Sequence, residues 1–131
     1  MQLAVIDSPR KFLQPSTWWK KELAEYHVDL LRYCGFGCRY CSTNSGPTMR
    51  YMGTDIKKKL REQLGRDFDP HRDADVSISY RNPIRQLQEE LFERSASRDH
   101  GKTVVYSQLT DGFSPNLVAD GTSRSALEML L

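Results

Sequence analysis

The chain has 131 residues, 38% hydrophobic and 10% aromatic, which is one domain's worth of sequence with enough apolar material for a core. Charged residues make up 27%, and no apolar run approaches the roughly 18 residues a membrane helix needs, so composition excludes a transmembrane span. Nineteen Lys and Arg against seventeen Asp and Glu leave a formal charge of +2, well short of the basic excess of a phosphate-neutralising protein, so charge gives no support to a nucleic-acid partner.

The opening MQLAVIDSPRKFL carries charge by its seventh residue and has no long apolar segment or small-residue cleavage site, so a secretory signal is not expected and a cytoplasmic setting is. Residues 1–25 read as an N-terminal extension without a clear element, with Trp18 and Trp19 as packing aromatics beside the solvated Lys20 and Lys21. From Tyr26 to Arg32 the chain is short, apolar at Val28, Leu30 and Leu31, and runs into a glycine-bearing loop, which predicts a buried strand. Ser42 to Gly53 is rich in turn formers and predicts a loop. Ile56, Leu60 and Leu64 then recur at helical spacing, with Thr54 as expected N-cap and Gly65 as expected stop. The Lys57, Lys58, Lys59 and Arg61 side chains of that helix read as a solvated face.

Four carboxylates surround His71 between Asp67 and Asp75, but the stretch lacks the glycine and terminal glutamate of a calcium loop and reads as a solvated linker. Asn82 to Arg94 puts Ile84, Leu87, Leu91 and Phe92 on one helical face, with Pro83 suited to the first turn. A polar turn over 95–102 leads to a second predicted strand, Thr103 to Leu109, which ends at Thr110, Asp111 and Gly112. Ser123 is the expected N-cap of a last helix bearing Leu127, Leu130 and Leu131; the chain stops in that helix uncapped, which gives the expectation of a cut end. This alternation predicts an α/β fold of parallel βα units, with the loop after each strand on one common rim.

All three cysteines, Cys34, Cys38 and Cys41, fall in one octapeptide as C-x3-C-x2-C. Random placement gives that spacing about 3 times in 10,000, and an odd thiol count without an export signal argues against a disulfide scaffold. Three thiolates on a loop flexed by Gly35 and Gly37 can close on a soft metal centre, zinc or iron. The fourth ligand of a structural zinc site is not at hand, since His27, His71 and His100 are scattered singly. An iron–sulfur cubane held by three cysteines instead keeps one iron open to a non-protein ligand.

The run from Cys34 to Cys41, with the aromatic Tyr40 before the last cysteine and a strand before the first, resembles the signature of radical S-adenosylmethionine enzymes. The resemblance implies that Cys34, Cys38 and Cys41 bind a 4Fe-4S cluster and that its open iron takes the amino and carboxylate groups of S-adenosylmethionine. Reductive cleavage of that cofactor would then give a 5'-deoxyadenosyl radical, with the peptide near Tyr40 facing the adenine. A second stretch, Leu109 to Pro115 followed by Thr122, Arg124, Leu127 and Glu128, is similar to the spore photoproduct lyase-like branch. Thr110 and Asp111 stand where many members carry Gly-Gly-Glu, and are therefore the expected cofactor contacts; the hydrogen-donor cysteine of true spore photoproduct lyase has no counterpart. The resemblance spans residues 26–131 and implies a radical enzyme core reduced to about two βα units of a partial (β/α)6 barrel, an N-terminal fragment inactive alone, with S-adenosylmethionine and an external electron donor such as flavodoxin or ferredoxin as partners. The other reading is a small zinc or iron–sulfur module with a structural or electron-transfer role and no catalysis.

Overall fold

Residues 1–16, 23–41, 52–93 and 101–131 are those described by the computed structural model of the chain. Their strands are β1 (Gln2–Ile6), β2 (Leu13–Pro15), β3 (Tyr26–Val28), β4 (Leu31–Tyr33), β5 (Val76–Tyr80) and β6 (Val104–Tyr106). Their helices are α1 (Thr54–Leu64), α2 (Pro83–Glu93), α3 (Pro115–Ala119) and α4 (Thr122–Leu130). The class is mixed α/β, with two three-stranded sheets in the orders β1-β5-β4 and β2-β3-β6. In the first, β1 runs parallel to β5 from Gln2 opposite Val76 to Ile6 opposite Tyr80, while β4 is antiparallel with a register slip between Leu31 and Tyr33. In the second, β3 is parallel to β6 and antiparallel to β2. No helix among the described residues is long and apolar enough to cross a membrane.

The stretch expected as one strand, Tyr26 to Arg32, is broken in two. Asp29 and Leu30 interrupt it, β3 stays in one sheet, and β4 crosses into the other. The break has a chemical cause: Asp29 turns its carboxylate toward the chain beyond β6 instead of continuing the ladder, as the hydrogen bonds below describe. The second expected strand is also shorter, because Ser107 takes φ 68° immediately after Tyr106, a conformation that ends extended pairing.

β5, the centre of its sheet, has no counterpart among the elements expected from the sequence. Its sequence, VSISY, alternates as a half-exposed strand would, yet all five residues are buried. Two serines are tolerable there because each hydroxyl finds a backbone acceptor, Ser77 Oγ on the Tyr33 carbonyl at 3.3 Å and Ser79 Oγ on the Tyr80 carbonyl at 3.3 Å. β1 was hidden for a related reason, since only Ala4 and Ile6 of its five residues are buried. Its outer edge is held by α1, whose Gln63 amide accepts from Val5 N–H at 2.8 Å and donates to Val5 C=O at 2.7 Å.

The helices expected from periodicity are present with adjusted ends. α1 begins after Gly53, which is extended at φ −59° and ψ 151°, so Thr54 is the first helical residue and not the cap. Gly65 does stop it, at φ 74° with its N–H on the Arg61 carbonyl, the left-handed ending that glycine adopts without a Cβ penalty. Pro83 opens α2 as expected, and Leu87 on its inner face is fully buried, whereas Phe92, expected on the same face, is exposed. The last helix starts after Gly121, and Ser123, expected as its cap, is instead a buried residue in its first turn. A short α3 precedes it that periodicity did not show. Trp18 and Trp19, the loop over 42–51 and the turn over 95–100 lie outside the described residues.

The buried side chains form one cluster that includes Val28, Leu31, Tyr33, Leu60, Ile78, Leu87, Leu117 and Ala126. Glu90 of α2 sits among them with 5% exposure. Its carboxylate accepts from Phe12 N–H at 3.0 Å and from Leu13 N–H at 3.3 Å, so it closes the entry to β2 where no strand partner is available. Replacing it leaves two buried amides without an acceptor, at about 1–3 kcal/mol each. Glu90→Ala is therefore expected to lower stability by about 2 kcal/mol or more in urea denaturation, and Glu90→Gln, which keeps an acceptor oxygen, by less than half as much.

Candidate metal and cofactor site

The cysteine loop leaves β4 and doubles back against the start of β5. Two glycines make this approach possible. Gly35 takes φ 84°, and a Cβ on it would lie 3.0 Å from the Val76 carbonyl; Gly37 takes φ 64°, and a Cβ on it would lie 2.6 Å from the Ala74 Cβ. Both positions combine a left-handed backbone with close packing, which only glycine accommodates. The Cys41 N–H then closes a turn on the Cys38 carbonyl at 3.1 Å.

Cys34, Cys38 and Cys41 are in no disulfide and are half-buried. Tyr33 anchors the loop from below. Its ring is fully buried, it meets Phe68 edge-on with ring centroids 5.1 Å apart, and its hydroxyl donates to the Pro70 carbonyl at 2.9 Å. Burial, followed by the neighbouring Cys34 and Cys41 thiols, pushes this phenol up to about 12, while the Gly37 amide facing the hydroxyl works the other way. Tyr40 is the opposite case, an exposed ring at 92%, with its phenol raised by a hydrogen bond to Cys38 and by the charge of that thiol.

The loop rests on the acidic stretch that was expected to be a solvated linker. That expectation fails for its central part. Asp73 is 3% exposed, pairs with Arg66, and accepts the Asp69 N–H at 2.8 Å. Pro70 is buried, and Ala74 meets Gly37. Asp67 and Asp75 remain at the surface. The stretch is a folded turn because its carboxylates cap backbone amides, Asp69 Oδ1 accepting His71 N–H at 2.9 Å, which is the local bonding that favours Asp in turns.

Thr110 and Asp111 are held elsewhere. Asp29 Oδ1 accepts from Leu109 N–H at 2.9 Å, Thr110 N–H at 3.0 Å and Thr110 Oγ1 at 3.1 Å, and Asp29 Oδ2 lies 3.0 Å from His27 Nδ1. Asp111 is exposed and accepts from Phe113 N–H at 2.8 Å. Beneath it, Gly112 is packed so tightly that a Cβ would collide with Ser107 Oγ and the Tyr106 ring, and its carbonyl takes both the Tyr106 hydroxyl and Ser123 Oγ. Thr110 lines a cavity with Tyr80, the last residue of β5, whereas the cysteine loop packs on Val76, the first. The ends of a five-residue strand lie about 13 Å apart, so the two loops do not share one rim. β4 runs antiparallel to β5 and carries the thiols to the far end.

Among the described residues, no three His, Cys, Asp or Glu side chains are gathered into a metal-binding group. The three thiols thus share a loop but are not converged, and Tyr40 alone of the expected cofactor contacts accompanies them. Neither protein-family models, nor curated proteins, nor solved structures match this chain.

The close approach at Gly37 gives a direct test of the loop's packing. Gly37→Ala forces both a positive φ and an overlap with Ala74, and is expected to cost about 1–3 kcal/mol. Gly53→Ala, at an open position with φ −59°, is expected to cost less than about 1 kcal/mol. Urea midpoints of the two variants, measured side by side, check the contrast.

Proposed function

We propose that the chain is part of a radical S-adenosylmethionine enzyme in which Cys34, Cys38 and Cys41 hold a 4Fe-4S cluster. The observation that carries the reading is the C-x3-C-x2-C octapeptide with Tyr40 before its last cysteine, on a loop whose Gly35 and Gly37 are pressed against Val76 and Ala74. The donor set fits the group. Three cysteine thiols supply three corners, and with no further cysteine in the chain the fourth iron is left for a small-molecule ligand. When bound, the cluster and S-adenosylmethionine together supply the hydrogen-abstracting radical chemistry; the protein contributes position and electrostatics.

The chain's own residues have separable tasks in this reading. Gly35 and Gly37 let the loop lie close against Val76 and Ala74, Tyr33 fixes the loop to the turn before β5 through the Pro70 carbonyl, and the peptide near the exposed Tyr40 faces the adenine. The parallel β3–β6 pair is the element that a partial (β/α)6 barrel would extend. Thr110 and Asp111 belong to the cofactor by resemblance; Thr110 is bound to Asp29 through its N–H and Oγ1, and Asp111 is exposed. An external one-electron donor, flavodoxin or ferredoxin in type, completes the set of partners, in a cytoplasmic setting.

Anaerobic reconstitution with iron and sulfide is expected to give about four irons per chain and the broad absorbance of a 4Fe-4S cluster. Alanine at Cys34, Cys38 or Cys41 is expected to abolish it in each case, and at His71, which is exposed, to leave it intact. A chain that retains one zinc tightly and takes up no iron would show the structural module instead.

A further inference from the structure

At the end of β5 opposite the thiols, the β1–β2 loop, the β3–β4 break and Tyr80 enclose a cavity of about 40 Å³, room for about three waters or one small polyatomic ion. Arg10, Lys11 and Arg32 line it together with Tyr80 and the His27–Asp29 pair. Burial raises the Tyr80 phenol, while Arg32, by its charge and a hydrogen bond, and Arg10, by its charge, work the other way. The only carboxylate in the lining, Asp29, is occupied by three donors on one oxygen and by His27 on the other. Lys11 is engaged with Glu93 at 3.1 Å, but both are exposed and the pair is weak. Arg10 forms no ion pair among the described residues.

The loop that carries Arg10 and Lys11 is already fixed. The Arg10 carbonyl accepts Ser8 Oγ at 2.6 Å and Gln86 Nε2 at 3.1 Å, the Lys11 carbonyl accepts Gln14 Nε2 at 2.6 Å, and Glu90 takes the next two amides. Cationic side chains from two chain segments therefore converge on a small space from a backbone that is already held, which lowers the cost of binding.

We propose that this cavity binds a phosphate group, as the free ion or as the phosphoryl end of a small phosphomonoester, held by the Arg10 and Arg32 guanidinium groups with the Tyr80 hydroxyl beside them. Two guanidinium forks from different elements suit the several oxygens and higher charge of phosphate, whereas one carboxylate is matched by a single fork. The site is separate from the cysteine loop, and of the residues given to the cofactor it includes Thr110 in its lining.

The test is an amide chemical-shift titration of the full chain with inorganic phosphate, with glycerol 3-phosphate and with acetate, at ionic strength held constant by chloride. Saturating shifts confined to residues 8–14, 29–32, 80 and 108–110 are expected for both phosphate probes, and the tighter of the two identifies the source of the group. Arg10→Ala and Arg32→Gln are each expected to weaken binding about tenfold or more, the loss of one charge-assisted contact, and Arg85→Ala, on the exposed face of α2, to change nothing. Arg10 is exposed, so its variant keeps the fold even if that of Arg32 does not. Shifts that spread over surface cations without saturating, an Arg10→Ala variant that binds as well as the parent, or acetate binding as tightly as phosphate would each overturn the proposal.

Discussion

Asp29 accepts hydrogen bonds from two backbone amides and a hydroxyl and faces an imidazole at the point where the chain passes from one sheet to the other. A carboxylate only 11% exposed is costly to bury unless its lone pairs are occupied, and here they are, by groups about 80 residues away in sequence. The arrangement therefore joins early and late parts of the chain through one side chain. It also fixes where β3 must stop, because residue 29 cannot both turn toward Thr110 and continue the ladder. β4, β5 and everything that leans on them take their positions from that stop.

The thiols lie at the other end of the same sheet. β4 delivers them there by running against β5, and Tyr33, the last residue of β4, ties the loop to the turn that precedes β5. Two chemically loaded regions thus sit at opposite ends of one five-residue strand, each seated on a buried tyrosine, Tyr33 below the thiols and Tyr80 below the arginines. A molecule that touched both would have to be elongated. Either region can otherwise act without the other.

Much of this was legible in the residues. The α/β class, the two long helices and the left-handed stop at Gly65 follow from apolar spacing and from the conformations open to glycine. The thiol cluster is visible because its spacing is improbable by chance. What escaped was decided by partners distant in sequence. VSISY looks half-polar until its serines are seen to bond to carbonyls of the sheet, and YHVDLLR looks like one strand until Asp29 is seen to serve Thr110. The acidic stretch looked solvated because nothing local announces that Asp73 will be covered and met by Arg66. The supposed common rim failed for the same reason, since a reversal of strand direction leaves no mark in composition or period.

Gln63 has a consequence for how this protein meets copies of itself. By offering one donor and one acceptor to Val5, its amide imitates the peptide group of a neighbouring strand, and at Val5 the outer side of β1 is occupied by a side chain where another chain could otherwise add. Sheet edges are the usual route to unwanted association. Here that route runs through α1: a copy seeking β1 must first dislodge the end of a helix whose Leu60 is wholly buried. Resistance to self-pairing is thereby coupled to the integrity of the core, and damage to α1 that leaves every strand intact would still turn a discreet surface into an adhesive one.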